Sequence, residues 1–150
     1  MKKNHKIAIK LLVTIGAILV VSSCSNTRFL EEGQQLYTGS KLSVEGDSLS
    51  KKEKSDLKSQ LESTIIPKPN SSFLGLRPRL YIYNIAKEPK KEKGLWYWLK
   101  YKVGEKPVLL GDVDIEFNKD ILVNYSENKG YFNAKATSDT ISKNKKTEIC

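Results

Sequence analysis

The segment 117–137, FNKDILVNYSENKGYFNAKAT, decides the fold class that we predict for this chain. Its first half repeats apolar residues on one face of a helix, which Asn118 is expected to cap and Gly130 to end. Its second half alternates apolar and polar residues, so that 131–141 is predicted as a half-buried strand. A turn at 142–145 and a short returning strand would then complete a hairpin. The segment therefore predicts a helix followed by two antiparallel strands.

A strand and a helix are also predicted upstream of this segment. Residues 41–47, KLSVEGD, place Leu42 and Val44 alternately with polar residues, which is the period of a strand. Ser50 and Glu53 then have the spacing of a capping box. Apolar residues follow at every fourth position until a proline ends the helix. These residues are Leu57, Leu61 and Ile65, and the proline is Pro67.

Residues 67–108 are predicted to form an irregular insert between the two helices, because they are rich in Pro, Asn, Ser and Gly. Within the insert, 80–85 is compatible with either a strand or a helical turn. Residues 94–103 are predicted to form an amphipathic helix, ended by Gly104 as a left-handed residue. Its apolar face would contain Leu95, Trp98 and Leu99. The tryptophan and tyrosines off this face either pack against the preceding loop or form a membrane or partner surface.

The histidine and carboxylate content argues against an enzyme. The single histidine, His5, lies in a predicted leader, so no imidazole would be left for a nucleophile pair or a zinc site. Asp112, Asp114 and Glu116 alternate with apolar residues and would line one face of a strand. An acid–base pair, as in a hydrolase, or a Ca²⁺ site is one interpretation, and a polar outer face is the preferred one. We expect no catalytic residue, no metal and no cofactor.

The N-terminal residues have the layout of a bacterial lipoprotein signal peptide. Lysines precede the apolar run 11–21, which is too short to span a bilayer, since spanning needs roughly 20 residues. Val21-Ser22-Ser23-Cys24 resembles a lipobox, which is cleaved before its cysteine. Cleavage between Ser23 and Cys24 would leave Cys24 as the N-terminus, carrying diacylglycerol and an N-acyl chain such as palmitate. Residues 1–23 are thus predicted as signal, 24–40 as a lipid-anchored tether and 41–150 as the domain.

The charge of the chain does not indicate nucleic-acid binding. Loss of residues 1–23 removes four lysines and lowers the formal net charge from +9 to +5. The remaining excess is spread along the chain and is nearly all lysine, whereas a nucleic-acid site favours clustered arginine and stacking aromatics. Scattered lysine instead suits a domain held close to a membrane, with weak attraction to anionic head groups.

Two observations lead us to expect that the chain continues beyond its last residue. Cys150 would be an unpaired thiol in an exported protein, which is unusual in an oxidising compartment. The residues after the predicted turn are also too few to pair along the whole strand predicted over 131–141. We therefore expect an incomplete final strand.

The predicted order strand, helix, insert, helix and two strands resembles a POTRA domain, of which the junction of a helix, Gly130-Tyr131 and a strand is a local mark. Four further segments, together with the lipobox, resemble the N-terminal region of lipid-anchored BamA/TamA-family proteins of Bacteroidota, the translocation and assembly module lipoproteins (TamL). The segments are TRFLEEGQQLYTG, PKPNSSFLGLRPRLYIYNI, KEKGLWYWLKYKVGEKPVLL and NKGYFNAKA.

This resemblance implies an α+β, POTRA-like domain that is anchored to outer-membrane lipid and faces the periplasm. It implies a non-enzymatic module of an outer-membrane protein assembly or translocation machine. Unfolded outer-membrane protein clients, or a TamB-like periplasm-spanning partner, would add a β-strand to an exposed sheet edge. The alternative is a free-standing small outer-membrane lipoprotein with a tethering or scaffold role.

Two predicted strands are candidates for that binding edge. One contains Phe132, Ala134 and Ala136, and the other contains Leu42 and Val44. The simpler interpretation is that these five side chains only fill the core.

Overall fold

The structure is a computed structural model that describes residues 26–150. The predicted signal peptide, including Ser23 and Cys24, lies outside these residues. The described elements are, in order, a 3-10 helix (Asn26–Phe29), β1 (Leu36–Ser40), α1 (Lys51–Thr64), α2 (Pro78–Ile85), α3 (Leu95–Trp98) with a π-helical continuation (Leu99–Val103), a 3-10 turn (Leu110–Asp112), α4 (Ile115–Asn128), β2 (Thr140–Lys143) and β3 (Lys146–Ile149). This part of the chain is α+β, as predicted, with a three-stranded mixed sheet.

The strand order is β1-β3-β2, so the last of the three strands is the central one. β3 runs parallel to β1 and antiparallel to β2, and Ile149 is paired with both Ser40 and Thr140. The β2–β3 connection is a two-residue turn in which Asn144 and Lys145 have φ of 53° and 58°. Two positive φ values match the twist of a tight hairpin. The returning strand is confirmed, whereas the turn predicted over 142–145 is shorter, because Ser142 and Lys143 belong to β2.

The strand predicted over 41–47 is wrong, because the first strand is β1, within the predicted tether. Leu36 and Tyr37 are adjacent in sequence and both are fully buried. Adjacent strand residues point to opposite faces, so both faces of β1 are covered and no alternation marks it in the sequence. Leu36 packs with Leu30 and Leu80, whereas Tyr37 packs with Val113 and Ile149.

The outer side of β1 is also occupied. Tyr37 N donates to Val108 O at 2.9 Å, and Leu110 N donates to Gln35 O at 2.8 Å. The end of the insert therefore covers this edge. β2, whose four residues are all exposed, is the free edge of the described sheet.

Helix α1 forms as predicted. Ser50 Oγ accepts from Glu53 N, and the Glu53 carboxylate accepts from Ser50 N at 2.8 Å, which completes the capping box. Leu57, Leu61 and Ile65 are buried. The helix ends at Thr64, shortly before Pro67.

Helix α4 begins earlier than predicted, because Asp114 and not Asn118 caps it. Asp114 Oδ1 accepts from Phe117 N at 2.9 Å, whereas Asn118 lies inside the helix. The Asp112 carboxylate accepts from Leu109 N at 2.9 Å in the preceding turn. Asp112, Asp114 and Glu116 therefore do not line one strand face, and two of them cap turns. Gly130 follows the helix with φ of +96°, as expected for its end.

The insert contains two helical pieces that pack on each other. Residues 80–85, for which strand and helix were both open, belong to α2. The helix predicted over 94–103 exists, but its apolar face is wrong, since Leu95 and Trp98 are 65% and 53% exposed. Tyr101 packs on α2 instead, with its ring centroid 6.4 Å from that of Tyr83.

Gly104 is required by close packing and not by a left-handed backbone. Its φ is −68° and its ψ is 161°, so the predicted left-handed residue is wrong. A β-carbon at this position would lie 2.6 Å from Lys100 O and 2.9 Å from Tyr83 Cα. Glycine thus allows the end of the π-helical turn to approach α2.

The strand predicted over 131–141 is also wrong over most of its length, because β2 begins only at Thr140. Tyr131 N donates to Ser126 O at 3.0 Å and Ala134 N donates to Tyr131 O at 3.1 Å, so turns use these groups. β3, the only neighbour on this side, extends no further than Ile149.

Among residues 26–150, no helix is long and apolar enough to cross a bilayer.

Candidate strand-binding groove

Two extended segments leave the sheet on either side of β3. On one side, Lys41 N donates to Ile149 O at 2.8 Å; on the other, Asp139 and Cys150 exchange two main-chain hydrogen bonds of 2.8 Å. Each segment therefore begins one strand spacing from β3. Because neighbouring strands lie about 4.8 Å apart, the two segments start about 10 Å apart, which is the width that one further strand requires.

The two segments line a single open groove with a volume of about 830 Å³. Its floor is apolar and is supplied by both long helices. The floor residues include Leu57 and Leu61 of α1 and Leu122 and Val123 of α4. The groove starts where β3 ends, and Cys150 lies at that end.

The groove brings together all five side chains that the sequence named as binding candidates. Leu42 and Val44 line one wall; Phe132, Ala134 and Ala136 line the other. They were predicted on two separate strands, but none of the five lies in a strand. The structure instead places them on facing walls of the groove.

Main-chain groups along both walls are unpaired. Residues 42–45 and 135–138 make no hydrogen bond within the described part of the chain. Backbone N–H and C=O groups are strong donors and acceptors, and in an open groove water satisfies them. An extended peptide between the walls would replace that water with two ladders of hydrogen bonds.

Charge at the mouth of the groove is mixed. Lys41 Nζ lies 2.9 Å from Glu148 Oε2, and this hydrogen bond, together with the charge of Glu148, raises the pKa of Lys41. Glu45 and Lys135 stand on opposite walls. A rim of both signs over an apolar floor suits an extended, mostly apolar ligand of either net charge.

Two of the carboxylates considered for a metal or an acid–base site accept main-chain hydrogen bonds. Over residues 26–150, no group of three or more His, Cys, Asp or Glu side chains is placed to hold a metal ion. Asp112 and Asp114, the pair considered for hydrolysis, accept hydrogen bonds from the main chain of Leu109 and Phe117. These hydrogen bonds to the main chain account for the positions of both carboxylates.

Part of the groove floor was missed in the sequence. Leu122 was expected on the buried face of its helix, but Val123 and Ser126 were not. Ser126 is buried, and its hydroxyl donates to Leu122 O at 2.8 Å. Positions 122, 123 and 126 share one helical face. Their spacing therefore indicates a buried face, but the polar side chain of Ser126 does not suggest burial.

Comparison with protein-family models, with curated proteins and with solved structures gave no match for the chain. The function is therefore argued from the groove and from the sequence itself.

Proposed function

We propose that this chain is a lipid-anchored periplasmic module of an outer-membrane protein assembly or translocation machine, and that it takes client or partner segments by β-strand addition. The observation that carries the proposal is the pair of walls 42–45 and 135–138, whose main chain has no hydrogen-bond partner within residues 26–150. Any residues that followed Cys150 in line with β3 would compete with a client strand for the same main-chain groups. The sequence resemblance to the lipid-anchored BamA/TamA family and to POTRA domains supports it independently.

Strand addition in this groove would be tolerant of sequence. A strand placed in line with β3 would form main-chain hydrogen bonds to both walls, and these bonds do not depend on side-chain identity. Alternate side chains would point to the floor, where Leu57, Leu61 and Leu122 favour apolar residues. Alternation of apolar and polar residues is the pattern of outer-membrane β-strands. Unfolded outer-membrane proteins are therefore the client class that fits.

The lipid anchor would act by proximity. Diacylglycerol and an N-acyl chain on Cys24 would hold the groove at the periplasmic face of the outer membrane. Tethering raises the effective concentration of a binding site for its neighbours without any new contact. A TamB-like periplasm-spanning partner is the second candidate occupant, since a partner strand meets the same chemical requirements as a client strand.

The proposal is tested by adding a synthetic peptide of alternating Val and Thr to the isotope-labelled full chain. We expect amide hydrogen exchange to slow at 42–45 and at 135–138, because both walls gain hydrogen-bond partners. A peptide with proline at every second position is the matched control, since it lacks the donors. Equal effects of the two peptides, or protection only at the β2 edge, would contradict binding in the groove.

Variants separate main-chain pairing from apolar contact. Val44→Pro and Ala136→Pro each remove one wall donor and should weaken peptide binding strongly. Phe132→Ala keeps every main-chain donor of that wall and should weaken binding less than either proline variant does. If Phe132→Ala abolished binding while the proline variants retained it, the groove would be a side-chain pocket. A chain that binds no peptide would fit a tethering lipoprotein instead.

A further inference from the structure

Both tryptophans of the chain lie on the outside of α3. Trp96 is 46% exposed and Trp98 is 53% exposed, although each is large enough to bury a substantial apolar area. Leu95, on the same face as Trp98, is 65% exposed. A four-residue helix that exposes three large apolar side chains leaves a surface that the described fold does not cover.

Helix α3 forms an outer layer of the domain. Leu80 of α2 is buried against Leu30 and Leu36 in the core. Tyr101, in the π-helical continuation of α3, packs on Tyr83 of α2. The side of α3 and of its continuation that carries Tyr101 thus packs on α2. The tryptophan side chains are on the part of α3 that faces outward.

The same part of the chain is strongly basic. Residues 87–106 contain seven lysines and three glutamates. Glu88 is paired with Lys100, and Glu105 lies 3.9 Å from Arg79 and accepts a hydrogen bond from Ser71. Within the described residues, the side chains of five lysines have no acidic partner and no hydrogen bond. These are Lys90, Lys91, Lys93, Lys102 and Lys106.

The lysines are also placed next to the aromatic residues. Lys87 Nζ lies 5.8 Å from the centre of the Trp96 ring. Lys93 precedes α3 by two residues, and Lys102 lies in its π-helical continuation. Lys90 and Lys91 line a shallow pocket together with Tyr97 and Tyr101. Aromatic rings and cationic ammonium groups therefore lie side by side in this part of the insert.

A second apolar projection belongs to the same insert. Phe73 and Leu74 are 70% and 86% exposed at the tip of a tight turn. Leu74 has φ of +51°, a conformation that is uncommon for a residue other than glycine. Ser71 N donates to Glu105 Oε2 at 2.8 Å, which fixes the turn beside the residues that follow the π helix. The insert thus carries exposed apolar side chains at two places.

This combination fits a membrane surface better than a protein partner. Tryptophan prefers the interfacial layer of a bilayer, where its apolar ring and its N–H are both accommodated. Clusters of four to eight lysines or arginines beside such residues are typical of anionic-lipid binding. Lysine, by contrast, is depleted from the centres of protein–protein interfaces.

We infer that the surface formed by Leu95, Trp96, Trp98 and the lysines of 87–106, here called the insert surface, binds anionic lipid head groups without a covalent bond. This binding goes beyond the proposed function and does not depend on the groove. It would turn the insert toward the bilayer.

Intrinsic fluorescence tests the inference directly, because both tryptophans belong to the insert surface. The full chain is reconstituted into vesicles of phosphatidylcholine alone or with phosphatidylglycerol. The lipid anchor proposed above would hold the chain at both kinds of vesicle, so a difference between the two kinds reports on the insert surface. With phosphatidylglycerol we expect emission at shorter wavelength and quenching by brominated lipid. Raising salt from about 0.1 M to about 0.5 M should reduce both.

A charge variant provides the matched comparison. Lys90→Gln, Lys91→Gln and Lys93→Gln together should weaken the phosphatidylglycerol effect by about tenfold or more. Lys51→Gln, Lys52→Gln and Lys54→Gln remove the same charge from α1 and should leave it unchanged. None of the six lysines is buried, and neither variant changes a tryptophan. Both variants should therefore have the circular dichroism spectrum of the wild type.

Two results would overturn the inference. Tryptophans equally accessible to acrylamide in both vesicle types would show that the insert surface does not contact lipid. Emission at shorter wavelength without quenching by brominated lipid would show that protein, such as a second copy of the chain, covers it.

Discussion

The side-chain amide of Asn118 is joined to the main chain of Ile66 by hydrogen bonds in both directions. Asn118 Nδ2 donates to Ile66 O at 2.6 Å, and Ile66 N donates to Asn118 Oδ1 at 2.8 Å. Asn118 is buried. The pair fastens the segment after α1 to the first turns of α4, the two helices that supply the floor of the groove.

Replacement of Asn118 should destabilise the domain strongly. Asn118→Ala leaves the N–H and C=O of Ile66 without these partners and removes a buried amide, and we expect a loss of about 1–3 kcal/mol in the free energy of unfolding. Urea denaturation followed by circular dichroism measures it. Asn124→Ala, at an exposed position of the same helix, is the control and should change stability by less than about 0.5 kcal/mol. Equal losses in the two variants would mean that the Ile66 contact contributes nothing.

The N-terminal cap of α4 gives a second stability prediction. Asp114→Ala removes the acceptor for Phe117 N and should cost about 1 kcal/mol. Asp114→Asn keeps an acceptor and should retain most of that stability. Asp120→Ala, at an exposed position within the helix, is the control. If Asp120→Ala were as costly as Asp114→Ala, a general charge effect would explain both.

Close packing at Gly104 can be tested against a second glycine. Gly104→Ala forces a methyl group against Lys100 O and Tyr83 Cα, at 2.6 Å and 2.9 Å. We expect a loss of about 1–3 kcal/mol, because backbone atoms must move. Gly111→Ala meets no atom within 4 Å and should be near neutral. Thermal unfolding of both variants compares them, and a tolerated Gly104→Ala would show that α2 and the π helix are not tightly joined.

Acidification should weaken the insert through Glu105. Burial opposes the charge on Glu105, but hydrogen bonds from Ser71 and the charge of Arg79 outweigh it and hold the pKa of Glu105 below its usual value. A lowered pKa in the folded state contributes stability above the unfolded pKa, and this stability is lost as pH falls through the folded pKa. Stability should therefore decrease below about pH 4.5.

The variant Glu105→Gln isolates this contribution. Urea midpoints at neutral and acidic pH should fall less in Glu105→Gln than in the wild type. Glu53 and Glu88, whose pKa values hydrogen bonds also lower, act equally in both proteins. Glu127→Gln, whose carboxylate makes no hydrogen bond among residues 26–150, should behave as the wild type. An unchanged pH dependence in Glu105→Gln would exclude this source.

Features that depend on neighbouring residues were predictable from the sequence. The capping box of Ser50 and Glu53 forms as expected, and the turn predicted over 142–145 forms at 144–145. Each depends on residues that are close together in the sequence. The same holds for the helical face of Leu57 and Leu61. Local geometry decides these elements before any tertiary contact is made.

Features that depend on distant contacts were not predictable. β1 is covered on both faces and on its outer side, and the covering residues, such as Val108, are far away in sequence. Asp and Asn are both suitable N-cap residues. Because the Asn118 side chain is hydrogen-bonded to Ile66, Asp114 caps the helix. The five residues predicted at a binding edge line one groove, but the strands predicted to carry them do not form there, because β3 offers them no partner.

The central position of β3 has a consequence for the order of folding. Thr38 Oγ1 donates to Thr147 O at 2.9 Å across 109 residues of chain. β1 emerges first during synthesis, yet it has no sheet partner until β3 follows. The long separation between the two strands raises the contact order of the fold, and closing so long a loop costs entropy before the contacts form, which slows folding. Helices α1 and α4 can form early from local contacts, whereas the sheet must be completed last.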